Sequence, residues 1–421
     1  MKNLITIIFL LPAICFGQIL ANSEYADPVP SVDRHLPFGI RSAGMGGTGV
    51  AVSEDLSALF YNPANLAYIY RIELTGALQY EGLKYESNFN STLTSGTDSY
   101  IRLQNAGVIL PIPTSRGGVS FAGGFTRTNS FDRRLVFEGT GEDGLDYSGE
   151  EIVKGGLGKF SFGGGLQVSP IAALGLSMDF YAGGERFSWY LDRINPGGSD
   201  WPDSLERKII SDDIRDEYTG IGARFGTTIV PNKYVQIGVY VNTPVALTIE
   251  EDGVQRFDSI ATGVEEYNEE YNIVETFELV LPWRLGAGMA LRPTDWFVLA
   301  GDIEYVDWRQ IEYNDPTWIL EQNRLMDDSF QPTLRWSAGV EFTIPVISTK
   351  LRGGFSQEPI AYIKNADDRN RNCISGGAGI LMNELLSMDI AARFSNWESG
   401  DTELKEEYKV SDIWVGLSYR F

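Results

Sequence analysis

Histidine and cysteine are almost missing from this chain of 421 residues, with one of the first and two of the second. A metal centre built on imidazole or thiolate has too few ligands to draw on. A serine–histidine–acid hydrolase would have to recruit His35, which lies ahead of the main body of the chain, so catalysis has little support. No cofactor is expected. Long apolar runs are absent as well: beyond the first 17 residues nothing approaches the roughly 20 apolar residues of a membrane-spanning helix. Positive charge is scarce, with 34 Lys and Arg against 57 Asp and Glu and a net charge of −23. A nucleic-acid partner needs the opposite balance.

Residues 1–17 carry one lysine, a short apolar run from Leu4 to Leu11 and a small residue at Gly17, the pattern of a secretory signal peptide. Cys15 would suit a lipoprotein, but Ile14 stands where a small residue is expected. The exported chain then keeps only Cys373 and has no internal disulfide. Residues 18–70 read as an N-terminal hatch or plug and 71–421 as the body.

What is abundant is glycine and aromatic residues, arranged with period two. Ile413, Val415, Leu417, Tyr419 and Phe421 alternate with Asp412, Gly416, Ser418 and Arg420. The same alternation runs through Ile221–Ile229, Leu281–Leu291 and Leu334–Ile344. These runs are longer than the usual soluble strand of about 5–6 residues and suit tilted membrane strands of about 9–11. Segmenting the chain gives fourteen strands, near 72–85, 100–111, 117–128, 156–169, 172–191, 217–230, 233–250, 273–291, 295–312, 333–344, 347–361, 373–382, 386–397 and 408–421. Long connections such as 86–99, 129–155, 192–216 and 251–272 alternate with short ones such as Pro231-Asn232 and Pro345-Val346. That rhythm is expected of an all-β membrane protein, a 14-stranded antiparallel outer-membrane β-barrel, whose closure leaves no strand edge bare. Trp296, Trp308, Trp318, Trp397, Trp414, Tyr305 and Tyr313 fall near strand ends, where aromatic girdles form.

Residues 41–67, RSAGMGGTGVAVSEDLSALFYNPANLA, stand apart. Gly44, Gly46, Gly47 and Gly49 supply backbone freedom and close approach. Ser53 is placed to cap a helix of about two turns carrying Leu56, Leu59, Phe60 and Tyr61, and Asn62-Pro63-Ala64 stops it. A phosphate-cradling loop would need a Lys-Ser/Thr pair and a buried strand before it, and neither is present.

The glycine stretch with Asn62-Pro63-Ala64, together with the terminal strand ending on Phe421, resembles the FadL-like outer-membrane transporters of long-chain fatty acids and other hydrophobic compounds. The resemblance implies a hatch inside a fourteen-stranded barrel, passive diffusion of a hydrophobic small molecule, contact with outer-membrane lipid, and recognition of Phe421 by the barrel assembly machinery. It also implies an inward kink of the third strand that opens a lateral exit, for which Gly123-Gly124 is the candidate position. The hatch residues Leu56, Leu59, Phe60 and Tyr61 would line or anchor the path. Asp179, Arg224, Arg284, Asp302, Glu304, Arg335, Glu341, Arg352, Asp389 and Arg393 all fall on the lumen face. Most are expected to form ion pairs, with Arg224, Arg284, Arg335 and Glu341 as candidate polar groups along the path. The PorV-type shuttle proteins of type IX secretion are similar to the same family, so docking of secreted proteins at the outer loops is the alternative to transport. A water-filled porin is a third. Acidic clusters at Glu265-Glu266 with Glu269-Glu270, Asp327-Asp328, and Asp367-Asp368 with Asn370 and Asn372 lack calcium-loop spacing and read as solvated loops.

Overall fold

The computed structural model describes residues 34–196, 205–261, 267–316, 320, 323, 329–362, 370–383, 385–400 and 404–421. The signal peptide, Trp318, Glu265-Glu266, Asp327-Asp328 and Asp367-Asp368 lie outside the described residues.

Fourteen antiparallel strands close on themselves. They are β1 (Glu73–Phe89), β2 (Thr92–Ile112), β3 (Val119–Ser130 continuing as Arg133–Thr140), β4 (Asp146–Ser169) and β5 (Ala172–Ile194). Next come β6 (Leu205–Asn232), β7 (Val235–Asn242 continuing as Val245–Ala261), β8 (Tyr267–Leu281 continuing as Arg284–Thr294) and β9 (Phe297–Asp307 continuing as Glu312–Asp315). The wall ends with β10 (Pro332–Ile344), β11 (Thr349–Pro359), β12 (Asn370–Met382), β13 (Leu386–Gly400) and β14 (Leu404–Arg420). Each pairs with its sequence neighbours, and β14 returns to β1 over the full register from Glu73↔Arg420 to Phe89↔Leu404.

Alternation places the two faces as expected. Ile413, Val415, Leu417 and Tyr419 are exposed on the outside, whereas Asp412 faces in and is fully buried. The outward apolar residues of neighbouring strands, such as Leu285, Leu299, Val340 and Leu351, form a band that fits lipid. Two aromatic residues assigned to the girdles, Trp296 and Tyr305, do face outward. Trp308, Trp414 and Tyr313 are buried inside instead. For Trp414 the reason is parity, since it shares a face with Asp412.

The long connections differ most from expectation. Residues 86–99 are not a loop: β1 and β2 continue to a two-residue turn at Asn90 and Ser91, both at positive φ. Likewise most of 129–155, 192–216 and 251–272 is strand, so the barrel wall rises well beyond the lipid band. Outside lipid the outward side chains no longer need to be apolar, so the period-two mark of those segments disappears from the sequence.

Inside the wall lies the hatch. It contains α1 (Ile40–Gly44), α2 (Ser57–Tyr61) and a 3₁₀ turn at Pro63–Tyr68, nearly all of it buried. Helix α2 is one turn rather than two. The side chain of Asp55, not Ser53, accepts from the Ser57 amide at its start, and Pro63 opens the 3₁₀ turn instead of ending all helical structure. Ser53 donates to the carbonyl of Gly49.

Candidate functional site: hatch, cavity and third strand

The hatch is fixed to the wall by backbone contact and by charge. Gly46 has φ +72, and a Cβ there would lie 2.6 Å from the Phe355 carbonyl oxygen. Only glycine fits that approach. Its amide donates to Ser375 Oγ at 2.8 Å. Gly44 packs against Gly377, Gly47 sits below the Arg335 guanidinium, and Gly49 lies flat against the Tyr61 ring. The amides of Gly49 and Val50 both donate to Asp302 Oδ2, at 2.6 and 2.9 Å. Arg41 forms a two-pronged pair with Glu341, both bonds 2.8 Å, and Glu341 also binds Arg352. Glu341 thus joins the hatch to the wall through two arginines.

Asn62 is the second anchor. Its amide nitrogen donates to the carbonyls of Val50 and Thr227 and to Thr228 Oγ1, and its oxygen accepts from the Ala64 amide at 3.1 Å. Pro63 and Ala64 lie against Gly165 and Gly175 of the wall. Leu56, Leu59 and Phe60 are buried in one apolar cluster with Ile109 and Ala122 of the wall. Tyr61 differs: its hydroxyl bonds to Ser42 and its ring borders open space.

That space is a cavity of about 40 Å³ between hatch and wall, bordered by His35, Phe38, Tyr61, Tyr240 and three arginines, Arg224, Arg284 and Arg335. It has room for about three waters, and an apolar cavity that takes benzene is nearer 150 Å³. Two carboxylates, Asp302 and Glu304, border the same space and face the arginines. Arg224 donates to the Tyr61 carbonyl and lies 4.7 Å over the Tyr240 ring. Arg284 donates to His35 Nε2 and stacks over Trp308. Arg335 has its nearest carboxylate, Glu358, at 3.5 Å. Arg224 Nε and Asp302 Oδ1 are buried without a hydrogen-bond partner among the described residues. Burial, followed by the charges of Arg284, Arg335, Arg371 and Lys159, holds His35 well below its usual pKa. A neutral His35 can accept from Arg284. The remaining lumen charges pair off, as in Lys159–Asp179, Arg352–Asp389 and Arg393–Asp412.

Above this polar floor the outer lumen is filled by one large apolar cluster that includes Phe89, Phe131, Phe137, Trp189, Tyr218 and Trp308. Phe89, Phe131 and Phe137 lie in segments expected to be loops, whereas Trp189, Tyr218 and Trp308 lie in expected strands, so the cluster comes together only through the registers of the tall wall.

The third strand does leave its neighbour, but not at Gly123-Gly124. Gly123 pairs with Val108 and Phe162, and Gly124 with Gly107 and Ser161, so the ladder there is continuous on both sides. Gly124 serves the hatch instead, since Leu56 Cδ2 would lie 3.2 Å from a Cβ there, whereas a Cβ at Gly123 would meet the outward Phe162 ring at 3.0 Å. Pairing of β2 with β3 ends at Asn105↔Thr126, and from Thr126 to Asp132 every residue is buried. The register to β4 shifts between Arg127 and Asn129. The outer part of β3 lies across the inner side of β1, with Ser87 donating to the Val136 carbonyl. Side chains stitch the parted seam: Arg102 pairs with Asp132 at 2.5 Å and Arg134 with Asp98 at 3.4 Å. The hatch lead-in holds the kink from within, through Leu36 N to Thr128 O at 2.8 Å and the bridge between His35 and Asn129.

Residues 39–420 match the family model described as outer membrane protein transport protein (OMPP1/FadL/TodX). Among solved structures, the Pseudomonas putida toluene transporter TodX aligns at TM-score 0.64 and 14% identity, covering 91% of this chain and 99% of that one. The CymD monoaromatic hydrocarbon channel aligns at 0.58 and 17%, covering 91% and 98%. A Pseudomonas aeruginosa FadL homologue aligns at 0.62 and 13%, covering 92% and 99%. No curated protein matches.

Proposed function

Because the chain belongs to the FadL/TodX family of outer-membrane transport proteins, we propose that it passes hydrophobic small molecules, aromatic compounds or fatty-acid-like chains, inward across the outer membrane without an energy source. The observation that carries this reading is the aromatic-rich apolar lumen above a closed hatch. An aromatic ring that buries roughly 200 Å² there gains about 5 kcal/mol over water. That is enough to draw a sparingly soluble solute from the medium and too little to trap it.

The hatch governs onward passage. Movement of residues 44–50 away from Asp302 and Ser375 would widen the arginine cavity, and the acid group of a fatty-acid-like solute would meet Arg224, Arg284 and Arg335 there. The parted seam between β2 and β3, rather than Gly123-Gly124, is the candidate lateral exit. Secreted-protein docking would draw on the tall outer strands, but it gives no role to an apolar interior. Uptake of a radiolabelled aromatic hydrocarbon and of a long-chain fatty acid into proteoliposomes tests the proposal. Rates equal to protein-free vesicles for both would refute it.

A further inference from the structure

Four carboxylates form a single row across the outer wall. Glu185 on β5 is opposite Asp216 on β6, Asp216 is opposite Glu251 on β7, and Glu251 is opposite Glu275 on β8. Like charges directly opposite on adjacent strands destabilise a sheet. The row also sits among apolar inward residues, with Phe187, Ile214 and Ile273 on one side and Tyr218, Ile249 and Phe277 on the other. No base from these strands answers Asp216 or Glu251: Arg186 and Arg215 point outward and pair there with Asp213 and Glu217. Tyr218 donates to Asp216 at 3.2 Å. Glu251 is nine-tenths buried, with 9% exposed, and has neither a hydrogen bond nor an ion pair among the described residues. Asp216 and Glu275 keep partial exposure, so the row can be reached from the lumen.

The row stands outside the lipid band, beyond Ile221 on β6. Burial, with Asp216 and Glu275 alongside, pushes the Glu251 carboxyl up to about 8, and burial pushes Asp216 up to about 6. Among the described residues no three Asp, Glu, His or Cys side chains converge closely enough to hold a metal ion. Aromatic rings lie beside the row, with Phe131 of the kinked third strand packed on Tyr218 at 5.7 Å. Such faces attract cations.

We infer that this row is a subsite for an organic cation, an ammonium group carried on an apolar or aromatic body, that enters with the hydrophobic solutes. The inference rests on the transport reading, because the body of such a ligand must first enter the apolar lumen. Binding replaces a proton on Glu251 with the ammonium, so affinity rises with pH up to about 8.

The test compares 4-phenylbutylammonium with neutral 4-phenylbutan-1-ol, titrated by calorimetry against the full chain in lipid nanodiscs at pH 8.5 and 6.0. The ammonium is expected to bind about tenfold tighter than the alcohol at pH 8.5, with the preference shrinking at pH 6.0. Glu251→Gln should abolish the preference and leave the alcohol's affinity unchanged, which also shows that the variant is folded. Equal affinities in the native protein overturn the inference, as does a preference that survives in the Glu251→Gln, Asp216→Asn double variant. Displacement of nothing but calcium from the row, with no ammonium preference, overturns it in favour of a metal site. If neither compound binds, the transport reading fails with it; if only the preference is missing, transport stands and the cation subsite falls.

Discussion

Asn62→Ala should loosen the hatch. The native amide makes three donor contacts, but two of the acceptors are served elsewhere: Val50 O by Asn65 at 3.0 Å and Thr228 Oγ1 through its own bond to Asn65 at 2.7 Å. The donor side therefore loses about 1–2 kcal/mol net. On the acceptor side the Ala64 amide is left bare and buried, which costs about 1–3 kcal/mol more. A total of about 3 kcal/mol shifts the balance between docked and undocked hatch roughly a hundredfold. Hydrogen exchange of peptides covering residues 40–68 reads this directly, and the barrel strands serve as the internal reference. Protection in those peptides that stays within a factor of about three of the native protein would show that Asn62 is not an anchor. Slow global unfolding with unchanged hatch exchange would refute the reasoning just as firmly.

Other substitutions report on separate parts of the arrangement. Gly46→Ala forces a Cβ to within 2.6 Å of the Phe355 carbonyl and should leave the hatch undocked inside an intact barrel, seen as proteolysis within residues 34–70 while the wall stays resistant. His35 is held neutral, so the unfolded hatch binds more protons than the folded one below the ordinary histidine value of about 6.5. Hatch protection should accordingly fall as pH drops below that value, and His35→Gln should remove this dependence. Asp132→Asn weakens the bond that Arg102 makes across the β2–β3 seam and removes the charge facing Arg127. Spin labels on residues 103 and 129 should then show a broader distance distribution, and an unchanged distribution would show that the seam is held by backbone alone.

The barrel itself was legible because lipid enforces it. Where the outside faces hydrocarbon, apolar residues must recur every second position, and all fourteen strands carry that mark. Above the lipid the constraint ends, which is why Thr92–Ser99 reads as a loop although it is strand. The hatch was legible for a different reason, since backbone-to-backbone approach demands glycine at Gly46 whatever its neighbours are. Gly123 and Gly124 show the limit of that inference: a strand glycine signals close approach without saying whether the strand bends or something packs on it. The convergence of Arg224, Arg284 and Arg335 was half visible. Parity put each on the lumen face, but only registers between strands bring them to one cavity. The carboxylate row was not visible at all, because Glu185 and Glu275 are 90 residues apart.

The position of α1 bears on how the molecule holds together. Ile40 and Ala43 pack on Ala77 of β1 and Trp414 of β14, and Ile40 Cδ1 would lie 2.5 Å from a Cβ at Gly416. These are the first and last strands, the two that join only when the chain is complete. With its apolar side chains laid across that pairing from Glu73 to Phe89, α1 ties the docking of the hatch to the closure of the wall, so loss of either weakens the contacts of the other.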